Sequence, residues 1–194
     1  RDIMLTRWKE DVTRDNYGMY FYIRNLSTNS LWSPAYHPFT YVPANYNVIF
    51  SPHKAEFFRT DGYIDTHMEV IVSPERNAEV RRISLTNHGR QPVEVEVTSY
   101  FEVVLSQYGA DIAHPAFSKL FVQTEYVDEH ESLLCVRRPR IPEQKPIWLV
   151  HTTALEGEGI GGIQFETDRM RFIGRDRTTG NPVSVEINHP LSGT

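Results

Sequence analysis

The sequence predicts an all-β fold, a large antiparallel β-sandwich, and three observations carry that prediction. Residues 93–105, VEVEVTSYFEVVL, alternate in polarity over thirteen positions. Shorter segments of the same character recur along the chain, separated by Pro, Gly, Asn or Asp. Helical signals are poor, since HMEVIVSPE and SQYGADIAH both break within two turns at Pro or Gly.

The long alternating stretch places Val93, Val95, Val97, Ser99, Phe101, Val103 and Leu105 on one face. Glu94, Glu96, Thr98, Tyr100 and Glu102 fall on the other, as a charged and solvated surface. A helix cannot hold those valines on one stripe. Before it, EVRRISLTN is a strand and HGRQP a turn, which together predict an antiparallel hairpin. MYFYIRN (19–25) is a short aromatic strand, and DTHMEVIVSP (65–74) sets Thr66, Met68, Val70 and Val72 on one side. KLFVQTEYV, SLLCVRR, PIWLVHTT, GIQFETD and VSVEI are five further strand candidates. EGEGIGG (156–162) has the glycine density of a flexible loop and none of the order of a phosphate cradle. The sum is nine to eleven strands in two layers, in one domain spanning 1–194.

The 194 residues suffice for one sizeable core. Twenty basic against twenty-five acidic residues, net −5, argue against a nucleic-acid or anionic-membrane surface. The run RRPR (137–140) is too short to change that, and it fits a solvated loop. The single cysteine, Cys135, excludes a disulfide framework and a thiolate metal cluster, and its SLLCVRR context suits a small buried hydrophobe. No apolar run approaches the length of a membrane span, and no signal-peptide pattern is present. The ends, Arg1-Asp2 and HPLSGT, look cut from something longer.

Eight histidines form no HxH or HExxH pair, so spacing supports no metal site. His67 and Glu69 share a strand face, which leaves a spatial cluster as a minor alternative. There is no GxSxG, Cys/His arrangement or dinucleotide fingerprint, and no catalytic residue is assigned. Trp8, Tyr17, Tyr20, Tyr22, Trp32, Tyr36, Phe39, Tyr41 and Tyr46 concentrate near the N-terminus among charges and prolines. Such rings either stack on sugar faces or pack loops onto the sandwich, and both readings stay open.

TRWKEDVTRDNYGMYFYIRN, LWSPAYHP, FFRTDGYIDTHMEVIVSPE, EVRRISLTNHGRQPVEVEVTSY, ADIAHPAFSKLFVQTEY and ETDRMRFIGR together resemble a known family. The chain is similar to the N-terminal β-domain of the phosphorylase-like module of cyclic β-1,2-glucan synthases, in glycoside hydrolase family 94. The resemblance implies a galactose-mutarotase-like supersandwich that precedes a linker and an (α/α)6 barrel, and, since family members continue past LSGT with more β-domain sequence, a sandwich truncated at its C-terminal end. In that family the general acid and the phosphate-binding residues lie in the barrel, and none matches a position here. The implied parent is an inverting phosphorylase or a synthase, while this chain alone is noncatalytic. No cofactor is implied beyond inorganic phosphate as the parent's co-substrate. The implied partners are a β-glucan oligosaccharide and the barrel of the same polypeptide, with no nucleic acid and no direct membrane contact. The implied location is the cytoplasm, or the cytoplasmic face of the inner membrane for a membrane-embedded parent.

In the family the β-domain lends a loop toward the barrel's sugar pocket. Aligning the cellobiose enzymes' Asn-Phe-Gln-Arg segment onto AFSKL places Ser118 and Lys119 at the sugar-contacting pair. The departure from Gln-Arg is real, because Lys offers a point charge where Arg offers a fork. Asp111 and His114 belong to the same loop, and the family's first aromatic loops map onto Trp32 to Tyr46, adding Trp32 and Tyr36 to the expected substrate-binding set. GADIAHPAFSKLF is thus expected to be a loop whose tip faces carbohydrate or the barrel. Its structural alternative is a crossover with Phe117 plugged into the core. Two other functions stay in play: an autonomous carbohydrate-binding module, and a mutarotase-like sugar epimerase with a His/Glu centre on one sheet face.

Overall fold

The computed structural model describes residues 3–8, 13, 17–39, 41–139, 141–186 and 189–193. Arg140 of the basic run and Ile187 of the last expected strand lie outside them. The described residues form twelve strands and only short helices. None of these helices is long and apolar enough to cross a membrane. The chain divides into two compact units, one of Arg1–Met19, Phe101–Arg175 and Asn188–Thr194, the other of Tyr20–Tyr100 and Asp176–Ile187.

The second unit holds two sheets. Strand β2 (Met19–Asn25) lies between β3 (Leu31–Trp32) and β8 (Val95–Phe101). Strands β4 (Asn45–Phe50), β5 (Ala55–Asp61), β6 (Ile64–Val72) and β7 (Glu79–Asn87) form an antiparallel meander. The β5–β6 turn is the two-residue pair Gly62-Tyr63, with Gly62 at φ 62°, where a side chain would be strained. Alternation in β6 turns Ile64, Thr66 and Met68 inward, all buried. Ile23, Trp32 and Ile64 make the core, with Ile83, Leu85, Val93 and Val95 packed against it.

Two expectations change here. Strand β7 pairs with β6 and β8 with β2, so the expected hairpin of 79–87 with 93–105 does not form. The HGRQP stretch carries the chain between sheets, because Ile83 and Leu85 must meet Val93 and Val95 across the core. The thirteen-residue strand also breaks at Glu102 into β8 and β9 (Val103–Ser106). Beyond the break, successive residues Val104 and Leu105 are both buried.

In the first unit, β1 (Met4–Thr6) pairs antiparallel with β9, and β10 (Val122–Val127), β11 (Ser132–Arg137) and β12 (Ile147–Thr152) form an antiparallel sheet. Arg137 of β11 donates from Nη1 to the Val104 carbonyl of β9 (3.1 Å), which ties that sheet to the pair. Between β9 and β10 lie helices α1 (Tyr108–Ala113) and α2 (Pro115–Lys119), where the sequence predicted a loop. Each is under two turns, too short for apolar periodicity to register. Helix α3 (Arg169–Ile173) is capped by the Asp168 carboxylate, which accepts from the amides of Met170 (2.7 Å) and Arg171 (3.3 Å). The expected strand GIQFETD does not form a strand among the described residues, and Phe165 stacks on Tyr126 (4.1 Å between ring centres). The expected strand VSVEI instead follows Pro182 with a 3₁₀ turn at Val183–Val185.

Candidate functional site

Residues 107–121 are built from beneath. Pro115 opens α2 at its first turn, where a missing N–H costs nothing. Asp111 of α1 is only 2% exposed and takes a paired contact from Arg7, Nε to Oδ2 and Nη2 to Oδ1, both 2.8 Å. Burial by itself would raise the Asp111 carboxyl pKa, but the Arg7 and Ser118 hydrogen bonds outweigh it and hold the group below its ordinary range. Arg7 also donates to the Pro115 carbonyl (3.1 Å). Ser118 is buried, and its carbonyl and hydroxyl accept from Arg137 Nη1 (2.9 and 3.3 Å).

Lys119 donates from Nζ to Glu102 Oε2 (2.5 Å), and Arg169 Nε donates to Glu102 Oε1 (2.7 Å). Arg7 Nη1 approaches the same carboxylate at 3.7 Å. Glu102, expected on a solvated face, is instead a three-cation hub, its side chain 14% exposed. Desolvation pushes its carboxyl up, yet the bonds from Arg169 and Lys119 dominate and bring it down to about 2. His114 stands exposed between the helices, its carbonyl accepting the Ser118 amide (2.9 Å).

The outer side of this segment is apolar and open: Ile112, Phe117 and Leu120 are exposed. Phe117 is 66% exposed, which overturns the core-plug reading. The core beneath is filled by Val104 and Leu105, so the helix projects that ring outward. Phe117→Ala is therefore expected to shift unfolding free energy by less than about 0.5 kcal/mol, measured by urea denaturation. A core plug would lose about 3 to 5 kcal/mol.

Of the six expected site residues, Asp111, His114, Ser118 and Lys119 belong to this segment, while Trp32 and Tyr36 belong to the second unit. Trp32 is 1% exposed, with its indole N–H donating to Thr66 Oγ1 (3.0 Å) inside the core. Tyr36 is half-buried, its amide donating to the Tyr46 hydroxyl (3.1 Å). The aromatic loop is anchored around buried Arg59, which grips Asp61 (2.6 and 2.9 Å) and lies over the Tyr41 ring (4.9 Å). Burial and the nearby Asp61 push the Tyr41 phenol up to about 12, and its hydroxyl donates to the Leu31 carbonyl.

Beside His67 and Glu69, the outward face of β4–β7 holds residues that sequence reasoning did not single out. Register aligns Asn47, Phe58, His67 and Ser84 on one rung and Asn45, Thr60, Asp65 and Thr86 on the next. These residues line a cavity of about 420 Å³. A third rung brings Glu56 and Glu69 beside His67, with ligand-type atoms within 4.8 Å of one another. Lys54 Nζ sits between the two carboxylates, 2.9 Å from Glu56 and 2.8 Å from Glu69. An ammonium thus supplies the positive charge in the cluster that His67 and Glu69 hinted at. The glycine at 62 between two alternating segments is the signal in the sequence that could have revealed the β5–β6 hairpin of this face.

The supersandwich domain of glycosyl hydrolase 94 matches residues 1–194. The chain belongs to that family. As a glycosyl hydrolase 94 supersandwich it is all-β, built of open antiparallel sheets of the galactose-mutarotase-like kind, and carbohydrate-associated. It is 36% identical over 192 residues to the cyclic β-(1,2)-glucan synthase NdvB of Rhizobium meliloti (strain 1021), covering 98% of this chain and 7% of that protein. To the solabiose phosphorylase of Paenibacillus borealis it is 25% identical over 166 residues, covering 86% of the chain and 20% of the relative. A 3-O-β-D-glucopyranosyl-β-D-glucuronide phosphorylase of the same organism is 30% identical over 84 residues, 43% of the chain and 11% of its own length. The glycosyl hydrolase 94 supersandwich thus spans a fifth or less of each of these relatives.

Proposed function

We propose that this chain is the noncatalytic supersandwich of a β-1,2-glucan-active synthase or phosphorylase, supporting an (α/α)6 catalytic barrel and lining its sugar site with residues 107–121. The observation that carries the proposal is the construction of that segment. Its underside is clamped by Arg7, Arg137 and Glu102, while Ile112, Phe117 and Leu120 stand exposed. A rigid support under an uncovered apolar surface suits docking against another part of a longer polypeptide. The 36% identity to a glucan synthase over 98% of the chain supports the glucan class. The whole chain acts as one domain in this reading, and the parent works in the cytoplasm or at the cytoplasmic face of the inner membrane.

Lys119 is the sugar contact in this proposal. An ammonium has three donors, and Glu102 takes one, so two remain for glucan hydroxyls. Asp111 and Ser118 act beneath it as positioning residues, and exposed His114 lies at the same rim. Tyr36, in the second unit, is a separate sugar contact of the aromatic loop in this reading, and Trp32 acts through the core that carries that loop. In the barrel-containing enzyme, Lys119→Ala is expected to lower kcat/KM on β-1,2-oligoglucan about ten- to a hundredfold, the worth of a charged hydrogen bond. Stability should fall by no more than about 1 kcal/mol, since the ion pair is part-exposed. Unchanged kcat/KM in the folded variant would remove Lys119 from the site. If Phe117→Asp also left kcat/KM unchanged, the docking reading of 107–121 would fall with it.

A further inference from the structure

The outward face of β4–β7 carries a second recognition surface. We propose that its cavity binds a neutral oligosaccharide, a site additional to residues 107–121; the choice of sugar class rests on the carbohydrate reading above. Strand alternation turns Arg59 and Thr66 inward and leaves Asn47, Asp65, Ser84 and Thr86 facing out on paired strands. The cavity, about 420 Å³, lies within the range of about 300 to 1,000 Å³ typical of small-ligand pockets.

Its chemistry selects the ligand. Among the described residues, the side chains of Asn45, Asn47, Ser84 and Thr86 make no hydrogen bond, and all four are exposed. Amides and hydroxyls each donate and accept, as adjacent sugar hydroxyls do. Asp65 is fixed as an acceptor, because Thr60 Oγ1 donates to Oδ1 (2.7 Å) and His88 Nε2 meets Oδ2 (2.8 Å). Each carboxylate oxygen keeps a lone pair for an incoming hydroxyl. Phe58 and His67 stack face to face, ring centres 4.3 Å apart and 7° from parallel, and give the polar rungs an apolar centre. Among the described residues, the nearby cations are already engaged: Lys54 with Glu56 and Glu69, Arg82 facing Glu69 on the far rung, and Arg59, which also lines the cavity, with Asp61. Asp65 repels an anion. A polyhydroxylated, uncharged ligand satisfies all of these groups, whereas a phosphate or a carboxylate does not.

The test uses the full 194-residue chain, amide-labelled for NMR, titrated with a β-1,2-linked gluco-oligosaccharide and in parallel with a glucuronate-containing oligosaccharide. The expected result is shift changes confined to residues 45–47, 58–67 and 84–86, with weaker binding of the uronate. Asn47→Ala and Thr86→Val should each weaken the neutral ligand about three- to tenfold, the equivalent of one neutral hydrogen bond. Circular dichroism of both variants should match the parent chain, since neither side chain is buried. Three results would overturn the proposal: no perturbation of this face at the ligand's solubility limit, equal affinity in both variants, or tighter binding of the uronate. Shifts confined to residues 107–121 would likewise overturn it while leaving the proposed function standing. That function is decided independently by kcat/KM in the barrel-containing enzyme.

Discussion

Glu102→Gln is expected to cost about 3 kcal/mol of stability at neutral pH, read as a fall in Tm of about 6 to 12 °C. The carboxyl titrates at about 2 against an ordinary 4.5, and each unit of that depression is worth about 1.4 kcal/mol. Because the folded pKa is the lower one, the stabilisation is fully present above about pH 4.5. It is lost as pH falls through the window toward 2. The wild-type chain should therefore lose stability across that acid window, and the Gln variant should show a flatter profile there. The variant also removes the carboxylate that Lys119, Arg169 and Arg7 share. Equal Tm values for the two proteins at pH 7 would refute the hub as a source of stability.

Trp32→Ala should be comparably severe, at about 3 to 5 kcal/mol, because it empties the centre of the second unit's core. The Thr66 hydroxyl loses its donor in a site that is 1% exposed. Trp32→Phe separates the two contributions. It keeps most of the packing and should lose about 1 to 2 kcal/mol, for the missing N–H and the volume difference. Urea denaturation of the three proteins checks both values. A Trp32→Ala loss below about 1 kcal/mol would instead fit a ring that covers a ligand rather than a core.

Much of the architecture was legible in the sequence where burial alternates. Residues 19–25 form the expected strand, and the strand expected at 65–74 runs over 64–72; of the four residues expected on one side, Thr66 and Met68 are buried while Val72 is exposed. Periodicity reports which way a side chain points, but it does not report the neighbouring strand. Residues 79–87 and 95–101 therefore looked like a hairpin, although they belong to different sheets. The break at Glu102 was hidden for a related reason. Its parity in the alternation matched a wet surface, while its three cations come from positions 7, 119 and 169. The resemblance carried the supersandwich class, which no count of strands could name. Within the candidate sites, Lys119 and Asp111 stood out by residue type, but their partners did not. Asn45, Asn47, Ser84 and Thr86 stood out by nothing, since polar residues on alternate positions are what any exposed strand face shows. Only register brings them into one cavity.

The pairing of Met4 with Ser106 has a consequence for how the chain acquires its structure. Strand β1 is synthesised before β9, and the partner it meets there lies about a hundred residues further along the chain. The hairpins of β4–β7, by contrast, pair with neighbours only a few residues away along the chain. Closing a long loop costs more entropy than closing a short one, and non-local pairings slow folding. The meander is thus the natural nucleus, formed during synthesis, while the N-terminal strand waits for β9 to emerge. Residues 107–121 follow β9 directly, and Asp111 depends on Arg7 from the first stretch of chain. The surface proposed to meet the barrel is consequently among the last parts of the molecule to become rigid.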